Sequence, residues 1–415
     1  MTLEFEKTTN PVLLFNKVKG SQFPIVTNVF GTRKRVALAM GTTLANLYPA
    51  IEKRLQSLVK PKMVSDGPVK ENVIIGKEVN LRLLPIFRHF EQDADKYVTA
   101  GIFVAKDPDT GIRNLSIHRM QLDDKNKFRT SLHSRGHLWR ICQKGQKLNR
   151  TIEAAVVIGV HPSILLAAAT SVGMGVDEYE VAGAFMEEPV DLVKCSTIDT
   201  EVPANAEIVL EGEIPPVLGE PDGPFGEYTG YASHRSTKNI FNLKAITYRN
   251  GAIYQDVTPG KSAEHLILSN VVKEAHVTLK LKENIPNLKE INWPKSGVLF
   301  TAYLSLSEPV TTGEANHAAM LLMGLDPYLK VVVIVDDDID VHNEQEVGWA
   351  IATRMQPDRD INIIKNVFCN KLDPSSHEDG TTGKLIIDAT KKKGIFDKLS
   401  LPKEAEEKAA RRAKS

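Results

Sequence analysis

The sequence has no excess of either charge: 52 Lys and Arg face 52 Asp and Glu, for a formal net charge of +0. A balanced chain builds no long-range field, which argues against a nucleic acid or an anionic membrane as partner. Cysteine is scarce as well. Cys142, Cys195 and Cys369 are odd in number, widely spaced and free of CxxC or CxxH patterns, so a disulfide framework and a cysteine zinc site are both excluded. Three inert thiols suit a reducing cytoplasm. Long apolar runs are missing: the richest, AAVVIGVHPSILLAAATSVGMGV, is interrupted by His161, Pro162 and Ser163, and the opening MTLEFEKTTN has no apolar signal region. Neither a membrane span nor a secretory leader is expected, and internal repeats and low-complexity linkers are absent.

What remains is an ordinary soluble composition of 415 residues, 42% hydrophobic and 25% charged, enough for two or three cores. From Pro24, PIVTNVFGTRKRVALAMG reads as a β-rich run with a Gly-Thr turn, followed by the helix-like TTLANLYPAIEKRLQSLV, together an N-terminal α/β unit. After Pro61 the strand-like runs NVIIG, YVTAGIFVAKD, RNLSIHRMQL, AAVVIGV, PVDLVKC and AEIVLEGEI predict a long, barrel-like sheet, with SILLAAATSV as a helical insertion. The last third alternates helix, buried strand and helix (GEANHAAMLLMGL, KVVVIVDDDIDV, EQEVGWAIATRM), which predicts a separate α/β domain with some parallel strands. From Pro402 the charged PKEAEEKAARRAKS has little to bury and reads as a solvated helical arm.

Three familiar motifs fail on single residues. Asp336, Asp338 and Asp340 start like a calcium loop, but Val341 and Val347 stand where glycine and glutamate are needed, leaving acids at a strand end. Gly260, Lys261 and Ser262 end like a phosphate-binding loop, but Gln255 replaces its first glycine. Gly173 and Gly175 open a dinucleotide fingerprint that Glu178 spoils with charge.

The polar residues of RNLSIHRMQ are harder to dismiss. Alternation places Asn114, Ser116 and His118 on one strand face and Arg113, Leu115, Ile117 and Arg119 on the other. Downstream, PDGPFGEYTGY holds Asp222 and Glu227 in a backbone constrained by glycine and proline. These blocks, with RGH (135–137), DEYEVAG (177–183), VKC (193–195), EVPANAEIVLEG (201–212), WAIATRMQP (349–357) and GKLIIDAT (383–390), resemble the UbiD family of decarboxylases, in the family's order and over nearly the whole chain.

The resemblance implies an α+β, multidomain chain: an N-terminal α/β domain (1–105), a central split β-barrel like that of flavin reductases (106–300), and a C-terminal α/β oligomerisation domain (301–415) with a charged helix at its end. It implies prenylated FMN, bound with manganese or another divalent cation that Asn114, His137 and Glu178 would hold, and with potassium nearby. An amide oxygen, an imidazole and a carboxylate are suitable donors for such a cation. Ser116 and Ile117 would lie against the flavin, and Ala168, Thr170 and Ser171 near its phosphate. Arg119 would stand between Asp222 and Glu227 beside the reactive ring, with Glu227 as proton donor to the carbon that has lost carbon dioxide. Many relatives have glutamate at 222. The shorter aspartate predicts a longer or water-mediated contact with Arg119.

His265 in KSAEHLIL either reaches the substrate or is a helix-start histidine that interacts with Glu264 or solvent. The implied activity is reversible decarboxylation of an aromatic, heteroaromatic or α,β-unsaturated carboxylic acid. A flavin prenyltransferase would supply the cofactor, and a homodimer or larger homo-oligomer, a hexamer included, is expected. Two other readings stay open at this level, a non-catalytic flavin-binding subunit and an FMN oxidoreductase on the same barrel.

Overall fold

The computed structural model describes residues 1–133, 136–307 and 310–392, with isolated positions beyond. Apart from two such positions, the charged arm expected from Pro402 lies outside the described residues, as does Arg135 of the RGH block.

At the N-terminus the strand Ile25–Thr27 pairs antiparallel with Leu13–Phe15 and parallel with Tyr254–Gln255, so a segment far along the chain completes the first sheet. The β-rich reading of residues 24–41 holds only for its start. Arg33–Ala39 is a helix, because the Thr32 hydroxyl caps it by accepting from Arg35 N at 3.3 Å and because its Val36 and Ala37 find a core to enter. A second helix, Leu47–Leu55, buries Leu47 and Ile51 one turn apart.

Among the described residues the middle of the chain forms a nine-stranded sheet in which every neighbouring pair runs antiparallel. Its central strands read as continuous apolar runs for a reason: both faces are covered. Ile102, Val104, Ala155 and Val157 enter one core with the helices Pro162–Ala168 and Glu178–Met186. Phe103, Ala105, Ala154 and Val156 enter a second core on the opposite face, with the helix His137–Lys147. The strand Arg113–Ile117 ends the sheet, paired among the described residues only to Ile102–Lys106, so at this edge the two covering layers come within reach of one another. The run RNLSIHRMQL is two strands rather than one. The chain leaves the sheet at His118 and Arg119 and re-enters it at Met120–Asp124, beside different neighbours.

The C-terminal sheet orders its strands Leu288–Asn292, Thr301–Leu306, Val331–Asp336, Thr381–Asp388 and Ile361–Phe368, the middle three parallel. Helices Thr312–Leu325 and Glu344–Arg354 cover its two faces, in agreement with the expected α/β alternation. Two aspartates of IVDDDIDV, Asp336 and Asp338, are structural. Arg354, 4% exposed, donates to Asp336 at 2.9 Å and to Asp338 at 2.7 Å, and Asp336 is 1% exposed. Arg354→Met should therefore remove the buried cation that Asp336 and Asp338 share and cost about 3–5 kcal/mol, read as an earlier thermal transition. Arg354→Lys should recover only part, because an ammonium cannot span both acids.

Candidate active site

Three residues from three elements converge at the sheet edge. Asn114 lies on the edge strand, opposite Ala105. Glu178 is the first residue of its helix, whose start is fixed by Asp177: the Asp177 carboxylate accepts from Tyr179 N at 3.0 Å and is clamped by Arg113 at 2.6 Å. His137 opens the helix on the other layer. Glu178 is 2% exposed; its carboxyl accepts from Asn114 Nδ2 at 2.9 Å and from Leu115 N at 2.7 Å, with His137 Nδ1 at 3.7 Å. Burial pushes this carboxyl up to about 7 despite those two hydrogen bonds. Burial and Arg140 lower His137, which keeps its imidazole neutral and able to donate a lone pair.

These residues fit a divalent cation on chemistry as well as place. A cation here would relieve the desolvation of Glu178 and find an amide, an imidazole and a carboxylate around it. Among the described residues no group of three or more His, Cys, Asp and Glu is placed to hold a metal, and this set contains only two of those types, its third member being an amide.

Arg119 follows the edge strand by two residues and acts as a fork. Its Nε donates to Asp222 Oδ2 at 2.8 Å, one terminal nitrogen donates to Glu227 Oε1, and the other to the Arg235 carbonyl. The guanidinium also lies over the Phe225 ring, 5.1 Å from its centroid. The expected long or bridged contact to Asp222 is not what forms: the contact is direct. A backbone anchored on both sides of the aspartate brings the short side chain close, since Asp222 N donates to Ser236 Oγ at 3.1 Å and Gly223 N to Gln121 Oε1 at 2.8 Å.

The two acids differ in surroundings. Asp222 is 2% exposed, accepts from the Ser236 hydroxyl and sits behind Arg119, whereas Glu227 faces a cavity. Burial raises the Glu227 carboxyl above its ordinary range, against the pull of Arg119 and Arg235. The turn that presents it is closed by Glu227 N donating to Tyr231 O at 2.9 Å and Gly230 N to Glu227 O at 2.9 Å, with Gly230 at φ +83°, a conformation that favours glycine.

The cavity, about 550 Å³, is lined by every residue expected to bind or act in the site except Asp222: Asn114, Ser116, Ile117, Arg119, His137, Ala168, Thr170, Ser171, Glu178, Glu227 and His265. Of the two readings of His265 the interaction with Glu264 does not form. Glu264 turns away to accept from the backbone of Asn28, Phe30 and Thr258, while His265 Nδ1 donates to Gly260 O at 3.1 Å. Burial pulls His265 down to about 4, so the ring is neutral and its other nitrogen carries a lone pair.

Arg119 also departs from the expected alternation. Because the strand ends at Ile117, Arg119 and His118 both line the cavity instead of facing apart. His118 is hydrogen-bonded through Nε2 to Ser116 Oγ at 3.0 Å and is held neutral, its pKa lowered to about 3 by burial and by the nearby His133 and Arg235. Alternation had grouped His118 with Asn114 and Ser116, a signal that could have earned it a place in the site. His133, Arg235 and Leu372 also line the cavity and carry no such signal, since they come from remote loops.

Three family models match in sequence along the chain. They are the 3-octaprenyl-4-hydroxybenzoate carboxy-lyase N-terminal domain over residues 1–55, its Rift-related domain over 62–262 and its C-terminal domain over 267–389. Anhydromevalonate phosphate decarboxylase of Methanothermobacter thermautotrophicus is 32% identical over 379 residues, which cover 91% of this chain and 88% of that protein. Among solved structures, the UbiD-class enzyme HmfF from Pelotomaculum thermopropionicum in complex with FMN superposes with a TM-score of 0.90 at 38% identity, covering 96% of this chain and 91% of that one. Vanillic acid decarboxylase of Sedimentibacter hydroxybenzoicus in its open form matches with a TM-score of 0.85 at 29% identity, covering 100% and 92%.

Proposed function

This chain belongs to the UbiD family of carboxy-lyases, and from that premise we propose that it is a prenylated-FMN-dependent decarboxylase acting reversibly on an aromatic, heteroaromatic or α,β-unsaturated carboxylic acid. One observation carries the reading: Arg119 forks between a buried aspartate and a glutamate that faces the same cavity as Asn114, His137 and Glu178. A solved HmfF structure contains prFMN, which supports that cofactor here. The nine-stranded sheet is, in this reading, the split-barrel cofactor domain, and the C-terminal α/β unit the oligomerisation domain.

When bound, prenylated FMN supplies the electron sink that lets carbon dioxide leave. The residues supply the rest. Asn114, His137 and Glu178 would hold the divalent cation, manganese in this proposal. Ser116 and Ile117 would position the ring. Ala168, Thr170 and Ser171 would approach the phosphate from the C-terminal end of the helix Pro162–Ala168, the electronegative end. An anion there depends on added positive charge, which the cation, and potassium beside it, would provide. Glu227 delivers a proton to the substrate carbon, its raised pKa keeping a larger share of the acid form at neutral pH. Asp222 holds Arg119 in the orientation that leaves Glu227 directed at the cavity.

Co-expression with a flavin prenyltransferase, absorbance spectra of the purified protein and assays of carbon dioxide release on a panel of acids test this reading. Bound unmodified FMN that turns over with NADH would overturn it.

The cation site has its own pH signature. The folded pKa of Glu178, about 7, lies above the ordinary glutamate value near 4.3, so metal-free protein is favoured while that carboxyl is protonated. Its contribution is fully present below about pH 4 and is lost as pH rises through about 7, a change of roughly 4 kcal/mol at most. Added Mn²⁺ should therefore raise the melting temperature of metal-free protein more at pH 8 than at pH 6, and Glu178→Gln should remove the difference.

A further inference from the structure

None of residues 89–94 lines the cavity, yet three of its walls rest on them. The first wall is held through His89, whose Nε2 lies 2.8 Å from Asp256 Oδ1; the same oxygen accepts from Thr99 Oγ1 at 2.9 Å, and Thr99 and the neighbouring Val257 face the cavity. The second is the loop that bears Glu227. Asp93, with 0% exposure, accepts from Gly226 N at 2.8 Å through one oxygen and from Phe90 N at 2.9 Å and His89 N at 3.2 Å through the other. Ala94 N donates to Pro224 O at 2.8 Å, so Asp93 and Ala94 grip the chain on both sides of Phe225.

The third wall meets the Phe90 ring. A Cβ added at Gly226 would fall 2.5 Å from Phe90 Cδ2, and one added at Gly260 would fall 2.8 Å from Phe90 Cζ. The ring is thus wedged between the residue before Glu227 and the residue whose carbonyl orients the His265 imidazole. Two backbones this close to one ring cannot approach each other or the ring without a clash.

We propose that residues 89–94 are the positioning element of the active site, a strut in which Asp93 and the Phe90 ring fix the separation of Glu227 and His265. The strut lies outside the cavity lining and acts through those two residues. It rests on the role given above to Glu227. Its chemical logic is that of preorganisation: a proton donor displaced by about 1 Å can lose about 100-fold in rate while substrate binding hardly changes.

Two sets of variants test it in holoenzyme, with solvent-deuterium exchange into an accepted acid as the readout. Asp93→Asn keeps the size of the side chain but sets an amide NH₂ against a backbone N–H. It should lower kcat about tenfold or more, leave KM within about twofold and shift the pH profile of exchange, with flavin content unchanged. Gly226→Ala should lower kcat similarly, and Phe90→Leu in that background should restore most of it by making room for the new methyl. Wild-type kcat and pH profile in Asp93→Asn, or failure of Phe90→Leu to restore Gly226→Ala, would overturn the proposal. Should Asp93→Asn not fold, the Gly226 and Phe90 variants carry the test through the same measurements. A wild-type holoenzyme that neither exchanges nor decarboxylates any acid of the panel would instead remove the role of Glu227, a result distinct from an active enzyme indifferent to its strut.

Discussion

Glu227→Gln is expected to lower decarboxylation and solvent-deuterium exchange by about 10²–10⁴-fold while flavin and metal contents stay at wild-type levels. The amide is nearly isosteric and can still accept from Arg119, so the site should keep its shape. What it lacks is a proton to give. Burial raises the Glu227 carboxyl, with Arg119 and Arg235 opposing, so a protonated fraction persists higher in pH than for an ordinary glutamate. The rate of the protonation step should accordingly fall as pH rises through the pKa of this group, and the variant should lose that limb. Wild-type turnover in Glu227→Gln would assign the proton to another group.

Arg119→Met should have the second largest effect, and on two quantities. Asp222 is buried and Glu227 nearly so, and both now share one guanidinium. Without it, two carboxylates face each other with the charge of Arg119 gone, a loss of about 3–5 kcal/mol if both stay ionised. They relieve this by taking up a proton. Stability of the variant should therefore improve toward low pH, opposite to an ordinary acid-sensitive ion pair. Activity should fall with it, because Glu227 loses the partner that aims it. Arg119→Lys should recover only part of either quantity, since an ammonium has no planar fork to reach Asp222, Glu227 and the Arg235 carbonyl together. Denaturation followed between pH 5 and pH 8, beside exchange rates, separates the two effects. A variant with wild-type stability across that range would show that the fork carries no structural load.

Much of the fold was legible from local pattern. The helices over 312–325 and 344–354 and the strands over 152–158 and 331–336 stand where periodicity placed them, because apolar spacing is a property of a few neighbouring residues. Where reading failed, a tertiary partner decided. Residues 33–39 form a helix because Thr32 caps it and a core accepts Val36 and Ala37. RNLSIHRMQL breaks in two because the bonds of His118 to Ser116 and of Arg119 to Asp222 and Glu227 draw that point of the chain out of the sheet.

The site divides in the same way. Resemblance named Asn114, His137, Glu178, Arg119, Asp222 and Glu227 by motif, but nothing in spacing could say that they meet. Asn114 and Glu178 are 64 positions apart, and Arg119 and Glu227 are 108 apart. Their approach follows from an edge strand where two helical layers converge and from loops anchored by backbone hydrogen bonds. The strut over residues 89–94 had no signature at all, because its work is done by backbone N–H groups and by the space around two glycines.

The sequence by itself determined the chemistry on offer: balanced charge, thiols without partners, an acid pair in a glycine-proline loop and the order of the family's motifs. Tertiary structure alone decided that Asp222 is sealed behind Arg119 while Glu227 opens on the cavity. Side-chain identity is written residue by residue, whereas desolvation, and with it the acidity of each carboxyl, depends on which distant segments exclude water from it.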